Sequence, residues 1–283
     1  MTKTIAIIEG NHAGLVRQEK GACFGAAESF AACLSDIKSD LQFTIIRPHF
    51  SDHIYHDSLF DECDAVIFTG SANAWSADDK EAEPARRIMA LALGSKKPVF
   101  GSCYGLQLAV TVLGGANRAN PVETEFAIAR HITINETGKT HPLYHTKPDR
   151  FHARCMHRDE VARLPKGAIT LSANDHSDHQ AVIYETDEVR FWGVQYHPEL
   201  RFSDIADYMA RNDVKSFADA KRFADRLSVN ADLDDIMADF HLLDNPQVTT
   251  QDYHRLIAKY QLDDSLLSDK THRCELVNFL AIL

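Results

Sequence analysis

A thiol, an imidazole and a carboxylate have the residue types and surroundings that an activated nucleophile needs. Cys103 lies inside the stretch Gly-Ser-Cys-Tyr-Gly, which separates an apolar run from a helical pattern. His197 and Glu199 flank Pro198 at the end of another apolar run, far along the chain. A thiol becomes a nucleophile when an imidazole activates it and an acid orients that ring. The three residues together predict such a nucleophile.

The residues around Cys103 predict a strand, a sharp turn and a helix. Pro98 to Phe100 is a short buried strand, apolar residues then recur at helical spacing, and Gly114-Gly115 ends the helix. Free N–H groups at a helix start favour a thiolate, and the N–H of Tyr104 can stabilise an oxyanion. The alternative for Cys103 is a small buried residue that fills a strand-to-helix junction.

His197 ends the other predicted strand. The apolar residues from Val189 to Val194 form this strand, and Pro198 stops it because proline lacks an N–H. Glu199 follows His197 by two positions, so its carboxylate can fold back onto the ring. This pairing favours the nucleophile over the buried junction residue.

These motifs resemble the signatures of class I (triad) glutamine amidotransferases. The resemblance rests on Gly-Ser-Cys-Tyr-Gly-Leu-Gln, Leu-Gly-Gly and Gly-Val-Gln-Tyr-His-Pro-Glu, and it covers roughly residues 1–210. It implies a flavodoxin-like α/β fold of three layers with a mostly parallel central sheet. It also implies that Cys103 forms a γ-glutamyl thioester, that His197 is the base and that Glu199 orients His197.

The resemblance assigns further residues to the site. It implies that Gln107 contacts the bound glutamine, and that Met156 and His157 lie near the pocket. The oxyanion hole would combine the N–H of Tyr104 with one from the loop that begins Gly70-Ser71. That loop lacks the proline usual in the family, which leaves open whether Gly70 or Ser71 is the donor, and a plain strand-exit turn is the alternative.

The order of the elements predicts a parallel sheet that continues into antiparallel strands. A strand over Thr4 to Glu9, a helix over Ala26 to Ile37 and a strand over Phe43 to Arg47 make a βαβ opening. After Gly115 the elements are β-branched runs separated by turn clusters, which is typical of antiparallel strands. The predicted strands of this second half are 126–134, 150–156, 168–172, 180–184 and 189–195.

The last part of the chain has a different character, so we predict two units, 1–211 and 212–283. The second unit shows helical periodicity over 217–227, 233–243 and 250–260, and the apolar terminus 276–283 is expected to dock. This helical extension is interpreted as a brace or a homodimer-forming element. The alternative is that it covers the active site and sets substrate choice.

Composition excludes several classes of function. The net charge of −11 argues against nucleic acid as a partner, and no apolar run is long enough for a membrane span. The six cysteines form no C-x-x-C pair, and the chain starts without a signal-peptide core, so a cytoplasmic protein is expected. We expect His49, His53 and His56 to be ordinary histidines, and the chemistry calls for no metal or organic cofactor.

Three functions remain open at this point. The first is a glutaminase or amidotransferase subunit that releases ammonia for a separate synthetase, since no synthetase motif is present. The second is a stand-alone hydrolase of γ-glutamyl amides or peptides. The third is a catalytically idle binding or regulatory module, and the complete set of Cys103, His197 and Glu199 counts against it.

Overall fold

The computed structural model describes residues 2–19, 22–50, 55–122, 124–210 and 232–283. Its described strands are β1 (Lys3–Ile8), β2 (Arg17–Glu19), β3 (Ala22–Phe24), β4 (Leu41–Ile46), β5 (Ala65–Phe68), β6 (Val99–Ser102), β7 (Ala116–Ala119), β8 (Glu125–Ile134), β9 (Arg150–His157), β10 (Asp159–Arg163), β11 (Ile169–Ala173), β12 (Ala181–Glu185) and β13 (Arg190–Val194). Nine of them form one sheet in the order β4-β1-β5-β6-β13-β12-β11-β8-β9.

The described α-helices are α1 (Ala26–Ile37), α2 (Glu83–Gly94), α3 (Tyr104–Val112), α4 (Glu136–Thr140), α5 (Phe202–Ala210), α6 (Leu233–Leu243), α7 (Thr250–Tyr260), α8 (Asp264–Leu267), α9 (Asp269–His272) and α10 (Cys274–Ala281). Short 3-10 turns cover Ala13–Leu15, Asp57–Phe60, Lys80–Ala82 and Pro142–Tyr144.

The first half of the sheet is parallel and buried on both faces. Strands β4, β1, β5, β6 and β13 run parallel to one another. Alternate residues of β1 enter two cores: Ile5 and Ile7 pack with α1 and α10, whereas Ala6 and Ile8 pack with α2 and α3. Helices on both faces give the predicted three layers, because a parallel strand must bury both of its surfaces.

The second half of the sheet is antiparallel, as predicted. Strands β13, β12, β11, β8 and β9 lie side by side in that order, and each is antiparallel to its neighbours. Two short pairings were not predicted, namely the β2–β3 hairpin and the β7–β10 pair. These strands are three to five residues long, and β2, β7 and β10 are rich in polar residues, so they lack the alternation on which the prediction depends.

The C-terminal helices pack on the sheet domain. Helices α5, α6 and α7 share a core in which the Phe240 ring lies 5.2 Å from the rings of Phe202 and Tyr260. Helix α10 docks as predicted, with Phe279 fully buried and 5.4 Å from the Phe100 ring. The predicted helix over 217–227 lies outside the described residues. The division at 211/212 remains a prediction, and no described helix is long and apolar enough to span a membrane.

Replacement of Phe279 tests whether α10 belongs to the main core. Phe279→Ala removes a fully buried ring that contacts Phe100 and Trp192, so we expect the free energy of unfolding to fall by about 3–5 kcal/mol. Val277 lies on the same helix but is 43% exposed, so Val277→Ala should change it by about 1 kcal/mol or less. Urea unfolding measures both, and equal values would show that the helix is not anchored as described.

Candidate active site

The turn between β6 and α3 places Cys103 at the N-terminus of the helix. Cys103 has φ 48° and ψ −100°, so the strained conformation falls on the cysteine and not on its glycine neighbours. Gly101 and Gly105 are needed for a different reason, which is that other backbone atoms approach them closely. A Cβ on Gly101 would lie 2.6 Å from the backbone of Gly105, and one on Gly105 would lie 2.6 Å from the carbonyl oxygen of Phe68. The predicted sharp turn is therefore present, and its backbone is crowded.

Neighbouring elements hold the backbone of this turn. The N–H of Cys103 donates to the carbonyl of Val194 on β13 at 2.8 Å, and its own carbonyl accepts from Gln107 at 3.1 Å. The thiol lies 3.7 Å from the carbonyl oxygen of Met156 and lines the main cavity. The first N–H groups of α3 have no partner within the helix, so the N–H of Tyr104 is available where the thiol sits.

His197 and Glu199 form a buried pair beside Cys103. The Nδ1 of His197 lies 2.7 Å from Oε1 of Glu199, and both side chains are nearly inaccessible to water. Ser102, which the sequence interpretation did not single out, donates to the Glu199 carboxylate at 3.0 Å. Pro198 lies between the pair, so the carboxylate folds back onto the ring as predicted.

The surroundings of His197 favour its protonated form. Burial lowers the pKa of His197, but the charge of Glu199, its hydrogen bond to the ring and the nearby Cys103 outweigh burial and raise the pKa to about 10. Cys103 is among the groups that act on the His197 ring, and both residues line the main cavity, so the two motifs meet in space. The arrangement can supply a proton from His197 to a group attacked by Cys103.

The loop after β5 lies against the imidazole. A Cβ on Gly70 would lie 2.5 Å from Cε1 of His197, so only glycine leaves this space to the ring. Side chains missed by the sequence interpretation fix the loop. Asn11 accepts from the N–H of Ala72 at 2.8 Å, and Asn73 donates to the carbonyl of Gly10 at 2.9 Å. Two loops that follow neighbouring parallel strands are thus tied together beside the thiol.

The predicted substrate-binding residues line the cavity, but two of them are engaged with the protein. The amide nitrogen of Gln107 donates to the carbonyl of Asp159 at 2.9 Å. The His157 ring lies 2.8 Å from the Glu125 carboxylate through Nε2 and 3.1 Å from the Asp159 carbonyl through Nδ1. These contacts give Gln107 and His157 a structural role in the cavity wall.

The cavity that contains Cys103 has a volume of about 470 Å³. This volume lies in the range typical of sites for small organic ligands. Side chains from α1 and α5 also line this cavity. They are Glu28, Ser29, Ala32, Asp204, Asp207 and Tyr208.

Histidines outside this site show no metal-binding arrangement in the described part of the chain. There, no group of three or more His, Cys, Asp or Glu residues is placed to hold a metal ion. The His49 ring contacts the Trp75 ring edge-on at 5.8 Å. His53 lies outside the described residues.

Comparison with known proteins places this geometry in a family context. The family model for class-I glutamine amidotransferases matches residues 27–217. The γ-glutamyl-L-1-hydroxyisopropylamide hydrolase of a Pseudomonas species is 35% identical over 153 residues, which cover 52% of this chain and 50% of that protein. The glutamine-hydrolysing GMP synthase of Thermotoga sp. strain RQ2 is 31% identical over 165 residues, which cover 58% of this chain and 30% of the synthase.

A solved structure shares the fold over almost the whole chain. The glutamine amidotransferase from Thermotoga maritima superposes with a TM-score of 0.60 at 14% identity, and the match covers 99% of both chains. At this identity the likeness shows the fold alone. It includes the mixed sheet and the C-terminal helices.

The contact between Gly70 and His197 can be tested through stability. In Gly70→Ala the new methyl group must displace the ring or the loop, so the free energy of unfolding should fall by about 1–3 kcal/mol. Gly94, at the end of α2, faces open space, so Gly94→Ala should leave stability unchanged or raise it by up to about 1 kcal/mol. Urea unfolding compares the two, and an unchanged Gly70→Ala variant would contradict the close approach.

Proposed function

This chain belongs to the class I glutamine amidotransferase family, and we propose that it hydrolyses the amide bond of a γ-glutamyl compound through a thioester on Cys103. The observation that carries the proposal is the buried His197–Glu199 pair, which lines the same cavity as the thiol of a cysteine at a helix N-terminus. A thiol, a proton donor and free N–H groups border the same cavity. That combination suits acyl transfer.

In the first half of the reaction, the Cys103 thiolate attacks the carbonyl carbon of the amide. The oxyanion of the tetrahedral intermediate accepts hydrogen bonds from the N–H of Tyr104 and from an N–H of Gly70 or Ser71. Protonated His197 gives its proton to the nitrogen of the leaving amine, and the C–N bond breaks. A γ-glutamyl thioester on Cys103 and a free amine, or ammonia, result.

In the second half, His197 is neutral and acts as a base. It takes a proton from a water molecule, whose oxygen attacks the thioester carbon. The C–S bond breaks, glutamate leaves, and the Cys103 thiolate regains the partner that it had at the start. Glu199 holds the ring in one orientation through both halves, and Ser102 holds Glu199.

Two substrate classes fit this chemistry. The cavity extends from Cys103 to α1 and α5, which leaves room for a leaving amine larger than ammonia, and the Pseudomonas relative is named for such an amide. The similarity to a glutamine-hydrolysing GMP synthase supports the second candidate, a glutaminase that supplies ammonia to a separate synthetase. We favour the hydrolysis of a substituted γ-glutamyl amide over that of glutamine, because the cavity has room for a leaving amine larger than ammonia.

A substrate panel separates these candidates. Purified protein is supplied with glutamine, γ-glutamylethylamide and γ-glutamyl-p-nitroanilide, and glutamate release is measured. We expect kcat/KM to be at least about tenfold higher for a substituted amide than for glutamine, a difference of about 1.4 kcal/mol in transition-state binding. A preference for glutamine would favour the glutaminase, and no turnover of any amide would favour the idle module.

The same assay tests the nucleophile. Cys103→Ala should abolish glutamate release, since the thioester can no longer form. Cys63, a buried cysteine of the core between the sheet and α2, provides the matched control, and Cys63→Ala should keep the turnover rate. Circular dichroism verifies that both variants fold. Substantial turnover by Cys103→Ala would discard the mechanism.

The raised pKa of His197 predicts the alkaline limb of the pH profile. Acylation needs the protonated ring, which persists until the pH passes the pKa of about 10, so kcat/KM should fall only there. Glu199→Gln removes the charge that raises this pKa, so the limb should move to lower pH by about 1–3 units. A limb that stays in place in the variant would show that another group controls it, and circular dichroism at each pH verifies folding.

A further inference from the structure

The residue before His197 is tied to the C-terminal helix. Tyr196 is fully buried, and its hydroxyl donates to Oε1 of Glu275 on α10 at 2.6 Å. On the other side of the same segment, the hydroxyl of Ser102 lies 3.3 Å from the Tyr196 carbonyl oxygen. Tyr196 therefore links the proposed catalytic ring to a helix that lies 79 positions away in sequence.

The acceptor of this hydrogen bond is itself fixed by a buried ion pair. The ammonium group of Lys147 lies 2.9 Å from Oε1 of Glu275, and both side chains are almost completely buried. Lys147 also donates to the carbonyl of Thr271 at 2.8 Å and lies 4.5 Å from the centroid of the Phe151 ring. Burial of two charges is costly unless their hydrogen bonds are satisfied, and here they fix the carboxylate in one position.

A second connection holds the other end of the His197–Glu199 segment. The carbonyl of Leu200 accepts from the Arg154 guanidinium at 2.6 Å and lies 3.1 Å from Nε2 of His272 on α9. Burial and the nearby charges of Arg154 and Lys147 lower the pKa of His272 well below its usual value, so its ring is neutral. Contacts from the C-terminal helices thus reach the residues on both sides of His197 and Glu199.

The segment needs such support because it lacks regular structure. Strand β13 ends at Val194 and α5 begins at Phe202, so no ladder or helix fixes the backbone of the residues that carry the ring and the carboxylate. Among the described contacts, the N–H of His197 donates to the carbonyl of Arg154 at 2.8 Å. Further anchors include Ser102, the Arg154 guanidinium and the C-terminal helices.

We propose that α10 is a positioning element of the active site, in which Glu275, held by Lys147, fixes His197 through the hydroxyl of Tyr196. This inference rests on the proposed function for its kinetic readout. Glu275, Lys147 and Tyr196 are positioning residues: they act on the reaction through the orientation of the imidazole, and none of them lines the cavity. The C-terminal helices are on this view part of the catalytic apparatus.

The first test compares two buried hydroxyls of one network. Tyr196→Phe removes the donor to Glu275, while Ser172→Ala removes a hydroxyl that lies 2.6 Å from that of Tyr144, one step away from Tyr196. We expect Tyr196→Phe to lower kcat by about tenfold and to change KM by less than about twofold. Ser172→Ala should leave kcat unchanged, although we expect both variants to have a lower melting temperature than the wild type. Equal kcat values in the two variants would overturn the proposal.

A second test uses two double variants, because a single substitution of Lys147 or Glu275 would leave the other charge buried and unpaired. Lys147→Met with Glu275→Gln removes both charges but leaves an amide oxygen that can accept from Tyr196, so kcat should stay within about twofold of the wild type. Lys147→Met with Glu275→Leu removes the acceptor as well, so kcat should fall as in Tyr196→Phe. A drop in both pairs, or in neither, would contradict a role for the hydrogen bond.

Labelling of Cys103 distinguishes failure of this inference from failure of the proposed function. Iodoacetamide labels the thiol without any γ-glutamyl substrate, and Cys103→Ser defines the background from the other cysteines. Because His197 and Cys103 line the same cavity and lie close enough to interact, displacement of the ring in Tyr196→Phe should change the labelling rate by at least about threefold. The rate should stay unchanged in Ser172→Ala. Unchanged labelling in both variants would refute positioning even if the protein turns over no amide.

Discussion

The close approach of backbones at the β6–α3 turn is the constraint on which the rest of the site depends. Gly101 and Gly105 let the turn pass within van der Waals distance of itself and of β5, and Cys103 between them takes a positive φ at the helix start. The thiol then faces free N–H groups. Strand β13 lies beside β6 with Val194 opposite Ser102, so the chain delivers His197 to the same edge of the sheet. One turn and one register bring the two motifs together.

Buried carboxylates hold the irregular segments that surround this edge. Glu9 accepts from the backbone of Asn11 and Ala27, and although burial raises its pKa, those hydrogen bonds oppose the rise. Glu125 loses solvation by burial, but its hydrogen bond to His157 and the nearby charges lower its pKa overall. A buried acid is tolerated only where several donors converge on it. Each of these acids therefore specifies the path of more than one loop around the cavity.

Local periodicity explains which parts of the structure could be predicted from the sequence. Helices α1, α6 and α7 have the predicted bounds because apolar residues recur at helical spacing and clear signals mark the ends. The pair β7–β10 was missed because its strands are short and polar, and their pairing depends on a partner about 40 positions away. The meeting of Cys103 and His197 was predicted from their residue types, their places at strand ends and the motif resemblance, since no local pattern encodes a distance in space.

The contacts that support the site could not be predicted from the sequence either, because they too join residues that are far apart along the chain. Ser102 reads as part of the turn motif, and only the folded register aims its hydroxyl at Glu199. Lys147 and Glu275 are 128 positions apart, and each reads from the sequence as an ordinary surface charge, because Lys and Glu are seldom buried unless they are paired. Predictions from composition assign such residues to solvent by default. The structure shows that the pair belongs to the core.

This placement joins the stability of the fold to the geometry of the site. The same helix inserts Phe279 into the core beside Phe100 and presents Glu275 to Tyr196. A change that loosens α10 therefore affects both the stability of the fold and the geometry of the site. A change confined to the Tyr196 hydroxyl affects only the segment that carries His197, because the Phe279 ring still anchors the helix. Positioning and packing are separable here because they use different side chains of one element. A C-terminal extension that only braced the domain would not need a buried, fully hydrogen-bonded ion pair directed at the residue next to the proposed base.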